Sequence, residues 1–487
     1  MGKQSETQQR RPHALVFPFP LQGHVIPTVH LAINLASRGF TVTFVNTHSI
    51  HHRTSKASSS HNHNQHDIFA AVRQKGLDIR YTTVSDGLPV EYDRSLNQSQ
   101  FMGSLLHVLS AHVEELVEKL VKQVVPPITC LIADTFFVWP SVVAKKFGLP
   151  YVSFWTEPAL VFSLYYHMHL LKINRHFASH DKREDMIEYI PGVKAIHPKD
   201  MMSYLQEDNT STVVHQMIYK AFDDVRAADF VLCNTVEELE PNTIAALQAQ
   251  TRFYAIGPIF PLGFTKSTVP TSLWSESDCT HWFHSKPHAS VLYISFGSFA
   301  HIAKQDLAEI AHGISLSNVN FVWVIRPDIV SSEDQHPLPV GFEESVGERG
   351  MIIPWCTQIE VLTHPAIGGF LTHCGWNSIL ESIWSHIPLL CFPLLTDQFT
   401  NRKLVVDDWK IGFNLCDPSG PITRGKVSEN VNRLMDGRSR EELKTAIREV
   451  KKILEDALTT NGSSEKNLEC FINDLNAQVF GSGGPHA

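Results

Sequence analysis

Short apolar runs separated by stretches of helical periodicity organise most of this chain. Residues 13–19 (HALVFPF) read as a buried strand, 28–38 as a helix ended by Gly39, and 40–46 (FTVTFVN) as the next strand. That is a βαβ unit, and such units build parallel sheets. CLIAD (130–134), YVSFW (151–155) and FVLCN (230–234) continue the pattern, each short, apolar and followed by a polar turn or helical stretch. A second series follows: VLYISF (291–296), FVWVIR (321–326), MIIPW (351–355), GGFLTH (368–373) and LLCFP (389–393), again alternating with helical segments. The fold class expected is α/β, with two doubly wound, Rossmann-like domains.

Between the two series, GPIFPLGFTKSTVPTSLW is rich in Pro, Gly, Ser and Thr and shows no period, so it reads as a linker. The expected division is an N-terminal domain at 1–258, a linker at 259–285, a C-terminal domain at 286–460, and a helix and tail at 461–487. In the tail, Leu468, Phe471, Ile472 and Leu475 fall at helical spacing, an apolar stripe that has to dock, with the N-terminal domain as one option. Residues 48–66 (HSIHHRTSKASSSHNHNQH) hold too few apolar side chains to pack and read as a solvated loop rather than a metal site.

At 487 residues the chain exceeds what one core usually serves, which agrees with two domains. With 41 Lys+Arg against 50 Asp+Glu it has no basic footprint, which argues against a nucleic-acid partner. The first twelve residues are polar and do not read as a secretory signal. The nearest approach to a membrane span, 136–144, stops at Lys145 and Lys146, well short of the roughly 20 residues needed. Eight scattered cysteines without a C-x-x-C pair point to free buried thiols and a cytoplasmic location, where the sequons at Asn97, Asn209 and Asn461 would carry no glycan.

Doubly wound sheets bind ligands outside the carboxyl ends of their strands. Those ends carry Gln22, Gly23 and His24 after the first strand, Asp134 after CLIA, and Trp155 and Thr156 in and after YVSFW. In the second series they carry Gly297 and Ser298, Trp355 and Gln358, His373 to Ser378, and Asp397 and Gln398. A helix opening near Asn377 would offer unpaired amide N–H groups and about half a positive charge to a phosphate. Asn377 and Ser378 add donors, and Gly375 would let a ligand approach the backbone. Glu381, one turn on, would repel phosphate but accept from ribose hydroxyls, so a nucleotide fits better than phosphate. The same residues also admit a plain cap, with Ser378 and Glu381 as a capping box. No D-x-D pair is present to hold a cation, so helix dipole and hydrogen bonds would balance a diphosphate. His24 is the candidate general base and Asp134 its orienting partner.

These residues resemble the plant secondary-product UDP-glycosyltransferases. That family's signature box runs 44 residues from a Trp to a Gln, as Trp355 to Gln398 does here (WCTQIEVLTHPAIGGFLTHCGWNSILESIWSHIPLLCFPLLTDQ). Outside the box, PFPLQGHVIPTVH, CLIADTFFVWP and FWT are similar to the family's N-terminal and sugar-contact segments. The resemblance implies a GT-B fold, two facing Rossmann-like domains with an interdomain cleft. It implies that Trp355 stacks on uracil beside Gln358, that Glu381 binds ribose, and that Ser298, His373, Asn377 and Ser378 hold the diphosphate. Trp155, Thr156, Trp376, Asp397 and Gln398 would contact the sugar, with Trp376 turned towards it, and Gln398 resembles the glucose-preferring form. The chain departs from the family twice. Cys356-Thr357 replaces a turn that usually contains proline, and His386 stands where the family usually has glycine.

The implied reaction is inverting transfer, most simply of glucose from UDP-glucose, to a hydroxyl or carboxyl of a small lipophilic plant metabolite. It needs no metal and no cofactor, and a monomer is expected. A UDP-sugar epimerase or hydrolase, or a non-catalytic nucleotide-sugar-binding homologue, would carry the same donor site. Phe101, Met102, Phe136, Phe137, Tyr165, Tyr166 and Met201 are candidates either for an apolar acceptor cleft or for plain core.

Overall fold

The computed structural model describes residues 11–58, 67–260, 269–330, 337–417 and 420–481. Two parallel sheets organise these residues. The first takes β1 (His13–Phe17), β2 (Thr41–Thr47), β3 (Ile79–Val84), β4 (Cys130–Asp134), β5 (Tyr151–Trp155), β6 (Phe230–Cys233) and β7 (Phe253–Ala255) in the order β3-β2-β1-β4-β5-β6-β7. The second takes β8 (Val291–Ser295), β9 (Asn320–Val324), β10 (Gly350–Ile353), β11 (Ile367–Thr372), β12 (Leu389–Cys391) and β13 (Gly412–Asn414) in the order β10-β9-β8-β11-β12-β13. The apolar runs read from the sequence are the central strands. The interiors of β1, β4, β5 and β8 are wholly buried, because helices cover both faces.

Strand order reverses between β1 and β4 in one sheet and between β8 and β11 in the other. Each reversal splays two crossover connections apart and opens a crevice at the strands' carboxyl ends. β1 leads into the helix Gln22–Ser37, and β11 leads into the helix Trp376–Trp384. The two crevices face each other. Asn377 Nδ2 donates to the Gly23 carbonyl at 2.8 Å, and the Trp376 indole N–H donates to the Asn234 carbonyl at 2.7 Å. Ser203 and Thr396 exchange two more bonds across the cleft, of 3.1 and 2.9 Å.

The last helix, Ser463–Phe480, lies against the first sheet. Leu468, Phe471 and Leu475 are buried there, with the Phe471 ring centroid 5.5 Å from that of Phe230 and 5.9 Å from that of Tyr254. Residues 261–268 of the expected linker lie outside the described residues. Farther on, Val269 and Leu273 join the core of the first sheet.

The histidine-rich stretch departs from its reading as a loop. His48–Ser58 is a helix running straight on from β2, with Ser49, Ile50 and Thr54 buried. One isoleucine suffices to anchor it, because Ile50 enters the core of the first sheet. Residues 59–66 lie outside the described residues.

His386 follows the helix Trp376–Trp384 at φ +60°, the left-handed conformation that glycine adopts without a Cβ clash. Its N–H bonds the Ile383 carbonyl and the next residue's N–H bonds that of Ser382, so the helix ending imposes the geometry whatever side chain stands there. His386→Gly is therefore expected to stabilise the protein by about 0.5–1 kcal/mol. Urea unfolding of the two proteins side by side checks this, and an unchanged or lower midpoint refutes it.

Candidate active site

One cavity of about 870 Å³ occupies the cleft, lined from both sheets. On the first-domain side, His24 sits in the first turns of the helix after β1, and Asp134 ends the adjacent strand β4. Asp134 Oδ2 lies 2.8 Å from His24 Nδ1, and Asp134 Oδ1 accepts the Phe136 N–H at 2.9 Å. The Thr156 hydroxyl, one residue past β5, lies 3.0 Å from the same Nδ1. Phe19 and Phe136 flank the imidazole at ring centroid distances of 5.4 and 5.6 Å. An ionised carboxylate only accepts, so Nδ1 donates to it and Nε2 carries the lone pair. His24 is thus a held, oriented imidazole on the cavity wall.

Facing it, the helix Trp376–Trp384 begins at Gly375 with no side-chain cap. The capping-box reading fails here. Ser378 Oγ and Glu381 Oε2 both accept from Gln358 Nε2, at 3.0 and 2.8 Å, so neither side chain reaches back to the helix end. Tyr293, from β8, donates its hydroxyl to Gln358 Oε1 at 3.2 Å and fixes that amide's orientation. Burial pushes the Glu381 carboxyl up to about 7.

His373 follows β11 directly, its ring between two glycines. A Cβ on Gly297 would stand 2.4 Å from His373 Nε2, and one on Gly375 would stand 2.5 Å from it. Gly375 is therefore required by a neighbouring side chain and not only by ligand approach, and Gly297, at φ +73°, is required twice over. Burial and the nearby Arg326 charge push His373 down to about 4, which leaves it a neutral hydrogen-bonding ring. Cys374, next along, is held at φ +67° with its side chain buried.

The expected uracil face, Trp355, lines the cavity with Trp274 from the inter-sheet segment, ring centroids 4.7 Å apart. The turn after Trp355 is held without proline. Cys356 is buried with its sulfur 3.5 Å from the Tyr293 hydroxyl, Thr357 Oγ1 donates to Glu276 at 2.9 Å, and Ser277 N–H bonds the Trp355 carbonyl. Ser298, Asp397 and Gln398 are on the cavity wall. Gln398 Oε1 accepts the N–H groups of Leu394 and Leu395 at 2.9 Å, which shapes the loop that carries Asp397. Burial pushes the Asp397 carboxyl up to about 6.

Two expectations are corrected, and one open alternative is decided. Trp155 does not reach the cavity. It is 1% exposed, packs among Phe136, Phe162 and Phe222, and gives its indole N–H to the Pro158 carbonyl, because the strand's alternation turns it to the core face. Trp376 forms part of the wall, but its indole is 3% exposed and its N–H is taken by Asn234, so it anchors one domain on the other. Of the apolar acceptor candidates, Met102 and Phe136 line the cavity, while Phe101, Phe137, Tyr165, Tyr166 and Met201 are core. Ile26, Val214, Met217 and Ile218 line it instead.

Several residues escaped the sequence reading. Arg326 ends FVWVIR and donates to the carbonyls of Gly297 and Ala300, bracing the loop after β8; its place at a strand end was the available signal. Trp274, a lone tryptophan in a Pro/Ser-rich stretch, was another. Nothing in the text marked Tyr293, an interior strand residue. Among the described residues no group of three or more His, Cys, Asp or Glu side chains is arranged to hold a metal ion, and no helix is long and apolar enough to cross a membrane. All eight cysteines are free.

Comparison with known proteins covers nearly the whole chain. Residues 13–261 match the glycosyltransferase N-terminal domain, and 258–441 match the UDP-glucuronosyl and UDP-glucosyl transferase model. UDP-glycosyltransferase 86A2 of Arabidopsis thaliana is 62% identical over 97% of this chain and 96% of its own, and UDP-glycosyltransferase 86A1 of the same plant is 58% identical over the same shares. The chain is a plant UDP-glycosyltransferase. Its fold is that of the solved UGT2 of Phytolacca americana in complex with UDP-2-fluoro-glucose and pterostilbene, with a TM-score of 0.75 and 26% identity over 96% of this chain and 99% of that one. The two facing sheets are thus the two domains of a GT-B glycosyltransferase, and the enzyme takes a UDP-sugar as donor.

Proposed function

We propose that this glycosyltransferase moves glucose from UDP-glucose, with inversion, to a hydroxyl or carboxyl of a small lipophilic plant metabolite. The observation that carries the reading is the His24–Asp134 pair across the cleft from the uncapped start of the helix Trp376–Trp384. His24 Nε2 takes the acceptor proton as the oxygen attacks the anomeric carbon, and Asp134 stabilises the imidazolium that forms. UDP departs towards the helix amides, where oriented dipoles and the neutral His373 ring meet the growing diphosphate charge without reorganising. Ser298, Asn377 and Ser378 complete the diphosphate side, Trp355 and Gln358 hold the base, and Glu381 the ribose. Thr156, Asp397 and Gln398 face the sugar.

Glucose as the donor sugar is supported by Gln398 closing the signature box and by the UDP-2-fluoro-glucose bound to the Phytolacca relative. Met102, Phe136, Met217 and Ile218 on the cavity wall, with Phe136 against the His24 ring, support a lipophilic acceptor. Eight free cysteines support a reducing, cytoplasmic setting, and one chain supplying both walls of the cleft supports action as a monomer. No step of this mechanism calls on a metal or a cofactor. The test is mass spectrometry of products from UDP-glucose and UDP-galactose against a mixed panel of lipophilic acceptors. Glucosides are expected, with UDP released only when an acceptor is present. UDP-sugar converted without acceptor would make the protein an epimerase or hydrolase, and donor binding without turnover would make it a binding homologue.

A further inference from the structure

Glu157 follows Thr156 just past the end of β5, lines the cavity as His24 and Asp397 do, and plays no part in the mechanism above. It is 7% exposed, and its Oε2 is buried without a hydrogen-bond partner among the described residues. Its backbone is tied down, its carbonyl accepting from the Cys233 thiol at 3.4 Å. A buried carboxyl with an unmet oxygen at the wall of a binding site is costly unless a ligand or a proton satisfies it.

The charges around it are of one sign. Asp397 and Asp134 are its carboxylate neighbours, and the buried Tyr165 phenol is near it as well. Burial, Asp397 and Asp134 together hold the Glu157 carboxyl well above the usual carboxylate range, which favours its protonated, donating form. No Lys or Arg side chain is on the cavity wall among the described residues.

We propose that Glu157 is a specificity residue for the substrate brought to His24: its carboxyl hydrogen-bonds an uncharged hydroxyl there, and the neighbouring Asp134 and Asp397 carboxylates turn away a carboxylate. The inference rests on the transfer reading and narrows it, since the acceptors become alcohols and phenols rather than acids. A carboxylate entering this end would meet like charges and find no cation to pair with, which is discrimination by a repulsive element. A neutral hydroxyl would accept from Glu157 while giving its own proton to His24.

The test uses the full-length protein loaded with UDP and two probes of one shape, 2-naphthalenemethanol and 2-naphthoic acid, with binding followed by tryptophan fluorescence at pH 7. The alcohol is expected to bind at least tenfold more tightly than the acid. Glu157→Ala should lose about tenfold in affinity for the alcohol, and Glu157→Gln, whose amide also donates, should keep it. A purely structural role would not be rescued by glutamine in this way. UDP affinity and thermal midpoint, measured on the same samples, are expected to match the wild type in both variants. Equal affinity for the two probes overturns the proposal, as does an alanine variant that binds the alcohol like the wild type or a glutamine variant as weak as alanine. The readout is acceptor binding, so failure of the transfer reading would show separately, in the product assay.

Discussion

His24→Ala is expected to lower kcat by about 10²–10⁴ while UDP affinity stays within twofold of the wild type. The split follows from where the side chain stands. Its contacts are Asp134, Thr156 and the rings of Phe19 and Phe136, all in the first domain, whereas the residues assigned to UDP come from the second. Nothing that would hold the nucleotide leaves with the imidazole. Stopped assays of acceptor-dependent UDP release, paired with calorimetric titration of UDP, measure the two quantities independently. Full turnover in the variant would remove His24 from the chemistry. A large loss of UDP affinity would show that the imidazole holds the domains together, and the kinetic loss could then not be assigned to proton transfer.

Asp134→Asn is expected to cost about 10²–10³ in kcat with little change in stability, through the histidine and not through the substrate. The carboxylate oxygen 2.8 Å from Nδ1 can only accept, which leaves the Nε2 lone pair free for the acceptor proton. An asparagine at this place can donate to Nδ1 instead, and the Thr156 hydroxyl at 3.0 Å can do the same. Either bond favours the tautomer with hydrogen on Nε2, which cannot act as a base. The carboxylate's stabilisation of the imidazolium is lost as well. NMR of the imidazole nitrogens should show the tautomer shift alongside the rate loss. A rate loss without that shift would assign Asp134 to charge stabilisation alone, and an unchanged rate would dismiss it from the mechanism.

Both predictions concern residues that were legible before any fold was known. His24 and Asp134 stood out because each is polar and ends an apolar run, and apolar runs of that length in a βαβ pattern can only be buried parallel strands. The same rule located Ser298, His373 and Asp397, and the signature box supplied roles for the residues around them. The rule fails where side-chain direction matters. Trp155 ends its strand as expected, but alternation turns it into the core, and its neighbour Thr156 is the residue that meets His24. Trp376 sits in the densest part of the box, yet its indole spans the cleft to Asn234, a contact 142 residues away in the chain. The helix His48–Ser58 was unreadable because a single buried isoleucine anchors it, and a period needs more than one point.

The sequence by itself determined the strands, the residues at their carboxyl ends and, through the signature box, the family and its donor. These are local properties, set by apolar spacing and by residue type at a fixed offset from a strand. Only the tertiary structure decided which strand ends become neighbours. The reversals between β1 and β4 and between β8 and β11 join His24 to Asp134, bring Gly297 against His373, and set the two pairs face to face. Strand order depends on contacts between segments far apart in the chain, which no local pattern encodes. The position of Glu157, with one buried oxygen unmet, was decided at the same level.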